Sequence, residues 1–243
     1  MEWELKPARD HGLPPGKRLS SQSREIGTVE AIVHRGWRWF LALYLHWFHG
    51  LTVVGRENLP EPPYVLIANH SSHLDALTLS SVVPARFGSR AYPIAAGDTF
   101  FTSLAASAFA AYAINALPLW RKNTKPEDLQ ALRARLIEDK LIYILFPEGT
   151  RSRDGSMARF KSGIGAFVAA SEVPVVPCHL DGAFAALPPH RRLPRPGRLT
   201  LRIGQPLRFA EIANDRAGAA IVAERCETAV RALAPKKAET GLS

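Results

Sequence analysis

Residues 64–68, 141–146 and 173–179 are short apolar runs, and they constrain this chain more than any other feature. Each is shorter than the roughly 10 residues a helix needs, and each is rich in Val, Ile, Leu or Tyr, so each reads as a strand buried on both faces. Helical patterns alternate with them. Residues 75–83 form one. Thr124-x-x-Glu127, with Pro126 in the first turn, is a capping-box signature opening a second, in which Leu129, Leu132, Arg133 and Leu136 recur at helical spacing. An Ala-rich stretch at 163–171 and a closing stretch at 211–233 read as further helices, and 199–203 as a late strand. Such alternation predicts a single α/β domain with a largely parallel central sheet flanked by helices. The length of 243 residues suits one domain of this kind. The expected division is a polar tail at 1–24, an aromatic helix at 25–50, the α/β domain at 51–234 and a tail at 235–243.

The aromatic helix carries Trp37, Trp39, Phe40, Tyr44, Trp47 and Phe48 beside Arg35, Arg38 and His46. Aromatic anchors with a basic flank and a short apolar reach predict a helix lying in a membrane interface, with an ordinary core helix as the rival. Residues 1–23 are polar and punctuated by Pro and Gly, which predicts a frayed tail and no secretory signal. Residues 99–120 lack charge, yet their Ala, Ser, Thr and Asn make insertion unfavourable, so a buried helix running into a strand is expected there. Cys178 and Cys226 form no C-x-x-C pair, so neither a disulfide framework nor a cysteine metal site is expected, and a reducing compartment is.

Lys and Arg number 31 against 22 Asp and Glu, a net charge of +9 that favours anionic partners. The stretch 181–211 holds Arg191, Arg192, Arg195, Arg198, Arg202 and Arg208 with no acidic residue between Asp181 and Glu211. It reads either as a solvated loop or as an anionic-lipid contact. Nucleic acid is not the expected partner, because no stacking platform, zinc spacing or helix-turn-helix pattern accompanies the charge.

Two blocks carry chemistry. In Asn69-His70-Ser71-Ser72-His73-Leu74-Asp75, between a strand and a helix, the Asp75 carboxylate can orient the His70 imidazole as a general base for a hydroxyl nucleophile supplied by the substrate. Phe146-Pro147-Glu148-Gly149-Thr150-Arg151-Ser152 closes a buried strand at the edge where open α/β sheets bind ligands. Arg151 can fork onto a phosphate, Gly149 permits close backbone approach, and Thr150 and Ser152 offer hydroxyls. Glu148 would either hold Arg151 or accept from a substrate hydroxyl.

Together, His-x4-Asp and the later Phe-Pro-Glu-Gly-Thr-Arg-Ser block resemble the glycerolipid acyltransferases of the 1-acylglycerol-3-phosphate acyltransferase type. The resemblance spans roughly residues 51–207. It includes Asn115-Ala-Leu-Pro-Leu-Trp-Arg121, with Asn115 where the family often has glycine, together with Phe160-Lys161-Ser162-Gly163 and Val173-Pro174-Val175-Val176-Pro177. It implies His70 and Asp75 as catalytic residues, and Arg121, Glu148, Gly149, Thr150 and Arg151 as substrate-binding ones. It also implies a fatty acyl thioester donor, acyl-CoA or acyl-carrier protein, and a lysophospholipid acceptor, lysophosphatidic acid first. The thioester is a co-substrate, so no further cofactor or metal is expected. The site of action would be the cytoplasmic face of the cell membrane, by peripheral or monotopic attachment. Two rivals stay open: another lysolipid acceptor, and a lipid-binding protein without catalysis.

Overall fold

Every residue of the strand Tyr64–Ala68 is buried, and its side chains divide between two cores. Tyr64, Leu66 and Ala68 join one core, Val65 and Ile67 the other, as the two-residue period of a strand requires. The computed structural model describes residues 9–10, 12–25, 27–97, 103–119 and 126–235. Seven strands form one sheet: β1 (Thr52–Val54), β2 (Tyr64–Ala68), β3 (Ala91–Ala96), β4 (Leu117–Leu119), β5 (Ile142–Leu145), β6 (Val175–Asp181) and β7 (Thr200–Ile203). Their order is β1-β7-β6-β2-β5-β3-β4, and every pair is parallel except the antiparallel β6 and β7. The largely parallel sheet is thus the one the sequence predicts. β1 and β3 add to the expected strands. β1 is only three residues long and two of them are exposed, while half of β3 is alanine and Pro93 stands inside it, so neither reads as a buried apolar run.

The helices are α1 (Pro15–Leu19), α2 (Thr28–His49), α3 (Asp75–Val82), α4 (Leu104–Ala108), α5 (Pro126–Glu138), α6 (Gly165–Val168), α7 (Ala183–Ala186) and α8 (Arg216–Ala232). α2 and α3 cover one face of the sheet through Leu41, Leu45, Leu79 and Val82. α5 and α8 cover the other through Leu132, Leu136, Val222, Cys226 and Val230. The closing helix starts later than its apolar pattern suggests because the Asp215 carboxylate accepts from Gly218 N–H at 2.7 Å and caps it. The Ala-rich stretch yields only a 3-10 turn and the four-residue α6, since Ala169 is already extended and Ala170 has φ +50°. The uncharged stretch is less buried than expected: after α4 comes a π-helical turn, Phe109–Ala113, in which Phe109 and Tyr112 are exposed.

α2 is two-sided. Leu41 and Leu45 point into the core, while Trp39 (68% exposed), Trp47 (80%), Ile32, Val33 and Phe40 face outward. Arg38, expected on its basic flank, is instead half-buried and donates to the carbonyls of Ser80 and Val83 at 2.6 Å each, satisfying the C-terminal end of α3.

The expected frayed tail is corrected for residues 12–23, while residues 1–8 lie outside the described residues. Residues 12–25 pack onto the domain, because their polar groups find buried partners. The buried Arg24 donates to the carbonyls of Ala111 and Ala116 and, at 2.8 Å, to Asn115 Oδ1. Arg135 from α5 donates to the carbonyls of Gln22 and Arg24. Asn115 sits at φ +58°, a left-handed conformation that asparagine tolerates, and its side-chain amide also donates to Ala91 O at 2.8 Å. Here the side chain fastens the N-terminal segment to the start of β3, a link that a glycine could not make.

Arg24→Ala leaves buried carbonyls without donors, and hydrogen bonds to charged groups contribute about 1.5–3 kcal/mol each. We expect a net loss of about 2–4 kcal/mol, a fall of roughly 5–15 °C in melting temperature for a chain of this size. Thermal unfolding followed by circular dichroism checks it, and an unchanged midpoint would show that the segment contributes no stability.

Candidate active site

β2 and β5 are neighbours in parallel register, Ile67 beside Leu145, so the loops that follow them leave the sheet at the same edge. Asn69 extends the sheet by one further step with its side chain: Nδ2 donates to Leu180 O at 2.9 Å and Oδ1 accepts from Leu180 N at 2.8 Å. His70 comes next, and both of its backbone polar groups are taken by the loop after β5. His70 N donates to Glu148 Oε1 at 2.7 Å, and His70 O accepts from Ser152 N at 2.8 Å.

The imidazole is fixed by two further contacts. Nδ1 lies 2.8 Å from Asp75 Oδ2, and the ring stacks on Phe146 with centroids 4.1 Å apart. Asp75 is buried at the first turn of α3, and the same oxygen accepts from Ser71 N and Ser72 N at 2.6 and 2.8 Å. The carboxylate thereby holds Nδ1–H and leaves Nε2 as the acceptor. His70 opens onto a cavity of about 560 Å³. Its inner wall is apolar, with Ile94, Ile114, Leu119, Leu129, Leu145 and Phe167, and its rim carries Gly149, Thr150, Arg151 and Lys161.

Among the residues predicted from sequence, the structure brings His70, Gly149, Thr150 and Arg151 to one cavity and places Asp75 directly behind His70. Arg121 lies outside the described residues. Glu148 is buried, with Oε1 accepting from His70 N and Oε2 from Ala158 N at 2.9 Å, so it braces two loops, and among the described residues it makes no ion pair with Arg151. Burial pushes its carboxyl above the usual 4.5, and the two backbone amides pull against that shift. Arg151 contacts His73, with Nη1 2.5 Å from His73 Nδ1. The same Nη1 lies 2.6 Å from His73 Nε2, which is itself 3.4 Å from Pro189 O, so the guanidinium sits against the ring edge. Burial and, after it, the neighbouring Arg151 lower the His73 pKa, which keeps the ring neutral for this role. Gly149 has φ +74°, a conformation that favours glycine, and a Cβ there would lie 2.8 Å from Lys161 Nζ, so a larger residue would also push the lysine's flexible end aside. Lys161 stands in a block singled out from sequence, but nothing in its spacing gave it a role. Phe146 opens the second motif block, but nothing in the sequence gave it the stacking contact with His70.

An oriented base at the mouth of an apolar cavity, on the C-terminal edge of a parallel sheet, defines an α/β enzyme domain of the histidine–aspartate type. The Acyltransferase family model matches residues 50–181, and the chain belongs to that family. It is 34% identical over 168 residues to a 1-acyl-sn-glycerol-3-phosphate acyltransferase of Chlamydomonas reinhardtii, covering 66% of this chain and 47% of that one. It is 32% identical over 146 residues to the human 1-acyl-sn-glycerol-3-phosphate acyltransferase alpha, covering 56% and 48%. The chain spans about half the length of these curated relatives. Among solved structures, the 1-acyl-sn-glycerophosphate acyltransferase PlsC of Thermotoga maritima superposes with a TM-score of 0.64 at 24% identity, over 84% of this chain and 79% of that one, which establishes the shared fold.

Because burial raises the folded-state pKa of Glu148 above its unfolded value, the folded protein binds the proton more tightly, and the stability contributed here falls as pH rises through the window just above 4.5. Glu148→Gln cannot titrate. The stability of wild type relative to that variant should therefore decline from pH 4 upward and then level off, as urea unfolding across pH would show; a difference that grows with pH would mean that the two amides outweigh burial.

Proposed function

We propose that the protein transfers a fatty acyl group from a thioester, acyl-CoA or acyl-carrier protein, to the free hydroxyl of lysophosphatidic acid, giving phosphatidic acid. The observation that carries this reading is the 2.8 Å contact of His70 Nδ1 with Asp75 at the mouth of the apolar cavity. His70 Nε2 takes the hydroxyl proton as the oxygen attacks the thioester carbonyl. The tetrahedral intermediate collapses with cleavage of the C–S bond, and the imidazolium returns the proton to the departing thiolate. Asp75 stabilises that imidazolium. The apolar wall suits an acyl chain, and Arg151 at the rim suits the acceptor phosphate. A thioester is already activated, so the reaction as written uses no cofactor or metal. The acceptor assignment leans on the activity for which the relatives are named, whereas the residue chemistry fits any lysolipid hydroxyl.

The outward face of α2 supports attachment to the cytoplasmic surface of the cell membrane, where such an acceptor resides. Among the described residues no helix is long and apolar enough to cross a membrane. Trp39 and Trp47, both exposed, are the side chains suited to an interface.

The decisive assay is purified protein with a panel of lysolipid acceptors and both thioester donors, following thiol release. His70→Ala should lower kcat by about 10²–10⁴-fold with an unchanged circular dichroism spectrum. Turnover near wild type would end this mechanism, and thiol release from none of the pairs would favour a lipid-binding protein without catalysis.

Arg151→Lys keeps the charge but loses the planar fork, and hydrogen bonds to charged groups are worth about 1.5–3 kcal/mol each. We expect kcat/KM for lysophosphatidic acid to fall at least about tenfold, with a much smaller loss for a phosphate-free monoacylglycerol. Equal proportional losses with the two acceptors would remove Arg151 from phosphate recognition.

A further inference from the structure

The segment between α7 and β7 is tied down at both ends. At one end Ser72 Oγ donates to Leu187 O at 2.7 Å and His73 Nε2 reaches Pro189 O, so the segment starts against the loop that carries His70 and Asp75. At the other, Leu199 N donates to His49 O at 3.0 Å and His49 Nδ1 donates to Gly197 O at 3.2 Å, so it ends against the C-terminal turn of α2. The loop thereby bridges the mouth of the cavity and the aromatic helix. Along it stand Arg191, Arg192, Arg195 and Arg198, and among the described residues none of these guanidinium groups has an ion-pair or hydrogen-bond partner. Arg202 and Arg208 are set apart, the first within β7 and the second beside Glu172. Leu193, in the middle of the run, is 76% exposed. Trp47, on the outward face of α2, is 80% exposed.

We propose that the loop carrying Arg191, Arg192, Arg195 and Arg198 is a contact for an anionic bilayer that sets the mouth of the His70 cavity against acidic lipid. The inference rests on the membrane reading given above and adds headgroup charge to it. Unpartnered arginines alone would serve the phosphates of a soluble acyl-CoA or an acidic carrier protein equally well. The apolar side chains decide between these partners. Leu193 among the arginines, and Trp47 and Trp39 along the adjoining helix, gain from leaving water only where an apolar phase lies directly beneath the negative charge. A bilayer interface supplies both. The anchored backbone also means that binding need not order a mobile loop.

The test is vesicle flotation of the full chain with phosphatidylcholine alone and with phosphatidylcholine containing phosphatidylglycerol. It compares wild type with the combined Arg191→Gln, Arg192→Gln, Arg195→Gln, Arg198→Gln variant and with a Trp39→Ser, Trp47→Ser variant. Each basic side chain near an anionic surface strengthens binding about fivefold, so wild type should partition at least about 30-fold better onto the anionic vesicles. Raising salt several-fold should erase that gain. The arginine variant should keep its partition onto neutral vesicles, its melting temperature and its activity in neutral detergent micelles, and should lose most of the anionic gain. The tryptophan variant should lose partition onto both vesicle types. If wild type does not distinguish the two vesicles, or the arginine variant keeps the gain, the inference fails while tryptophan-dependent binding to neutral vesicles still upholds attachment through α2. A raised KM for acyl-CoA in neutral micelles, with vesicle binding intact, would overturn it by assigning the loop to the donor's phosphates. Binding of wild type to neither vesicle would overturn both readings.

Discussion

The site depends on the way one residue's backbone is held. His70 stands just beyond the end of β2, where the ladder no longer serves its amide and carbonyl, and the loop after β5 takes both: Glu148 accepts the amide and Ser152 donates to the carbonyl. The two motif loops are thereby locked to one another. A side chain placed by a clamped backbone keeps its geometry without depending on a flexible turn, which is what a general base requires, since catalysis falls off steeply with small misplacements. Asp75 completes the arrangement from behind. Its Oδ2 gathers the His70 ring and two loop amides at the start of α3, where the helix favours negative charge. The His70 imidazole is therefore oriented by groups within the protein itself.

Elsewhere, buried arginines do the fastening. Arg24, Arg38 and Arg135 each spend guanidinium donors on backbone carbonyls left open at helix ends and turns. Burying such a charge is costly unless its hydrogen bonds are made. These contacts supply them, and they knit the N-terminal segment, α2 and α3 to the sheet. The region so fastened includes Ile114 and Ala116, which form part of the cavity wall. Arg24 thus connects a segment far from His70 in sequence to the shape of the site.

Much of this was legible in the sequence, for identifiable reasons. The central strands were readable because burial on both faces leaves an uninterrupted apolar run, as in Tyr64–Ala68, and the parallel sheet followed from their alternation with helices. The pairing of His70 with Asp75 was readable because a spacing of five residues across a strand-to-helix turn can bring the two together. β1 and β3 were not, because short, alanine-rich or edge strands lack that composition. The role of Glu148 was hidden for a different reason: its partners are the amides of His70 and Ala158, and backbone groups leave no trace in residue identity. Polar residues near the N-terminus misled in the same way, since Arg24 looks like a solvent-facing charge until the carbonyls around it are known.

The rim of the cavity carries one more consequence of the same logic. Arg151 is held by His73, and two cationic groups at that distance would repel, so the contact exists only while the imidazole is neutral. Burial first, and the arginine itself second, lower the His73 pKa below its ordinary 6.5 and thereby secure that state. The neutral ring can hold the guanidinium without neutralising it, which a carboxylate partner would do. Glu148 sits close by in sequence yet spends both oxygens on backbone, and Asp75 spends Oδ2 on His70 and the loop amides. Arg151 is thus positioned at the rim without a direct carboxylate partner among the described residues, while Glu148 and Asp75 Oδ2 hold the backbone and ring of His70.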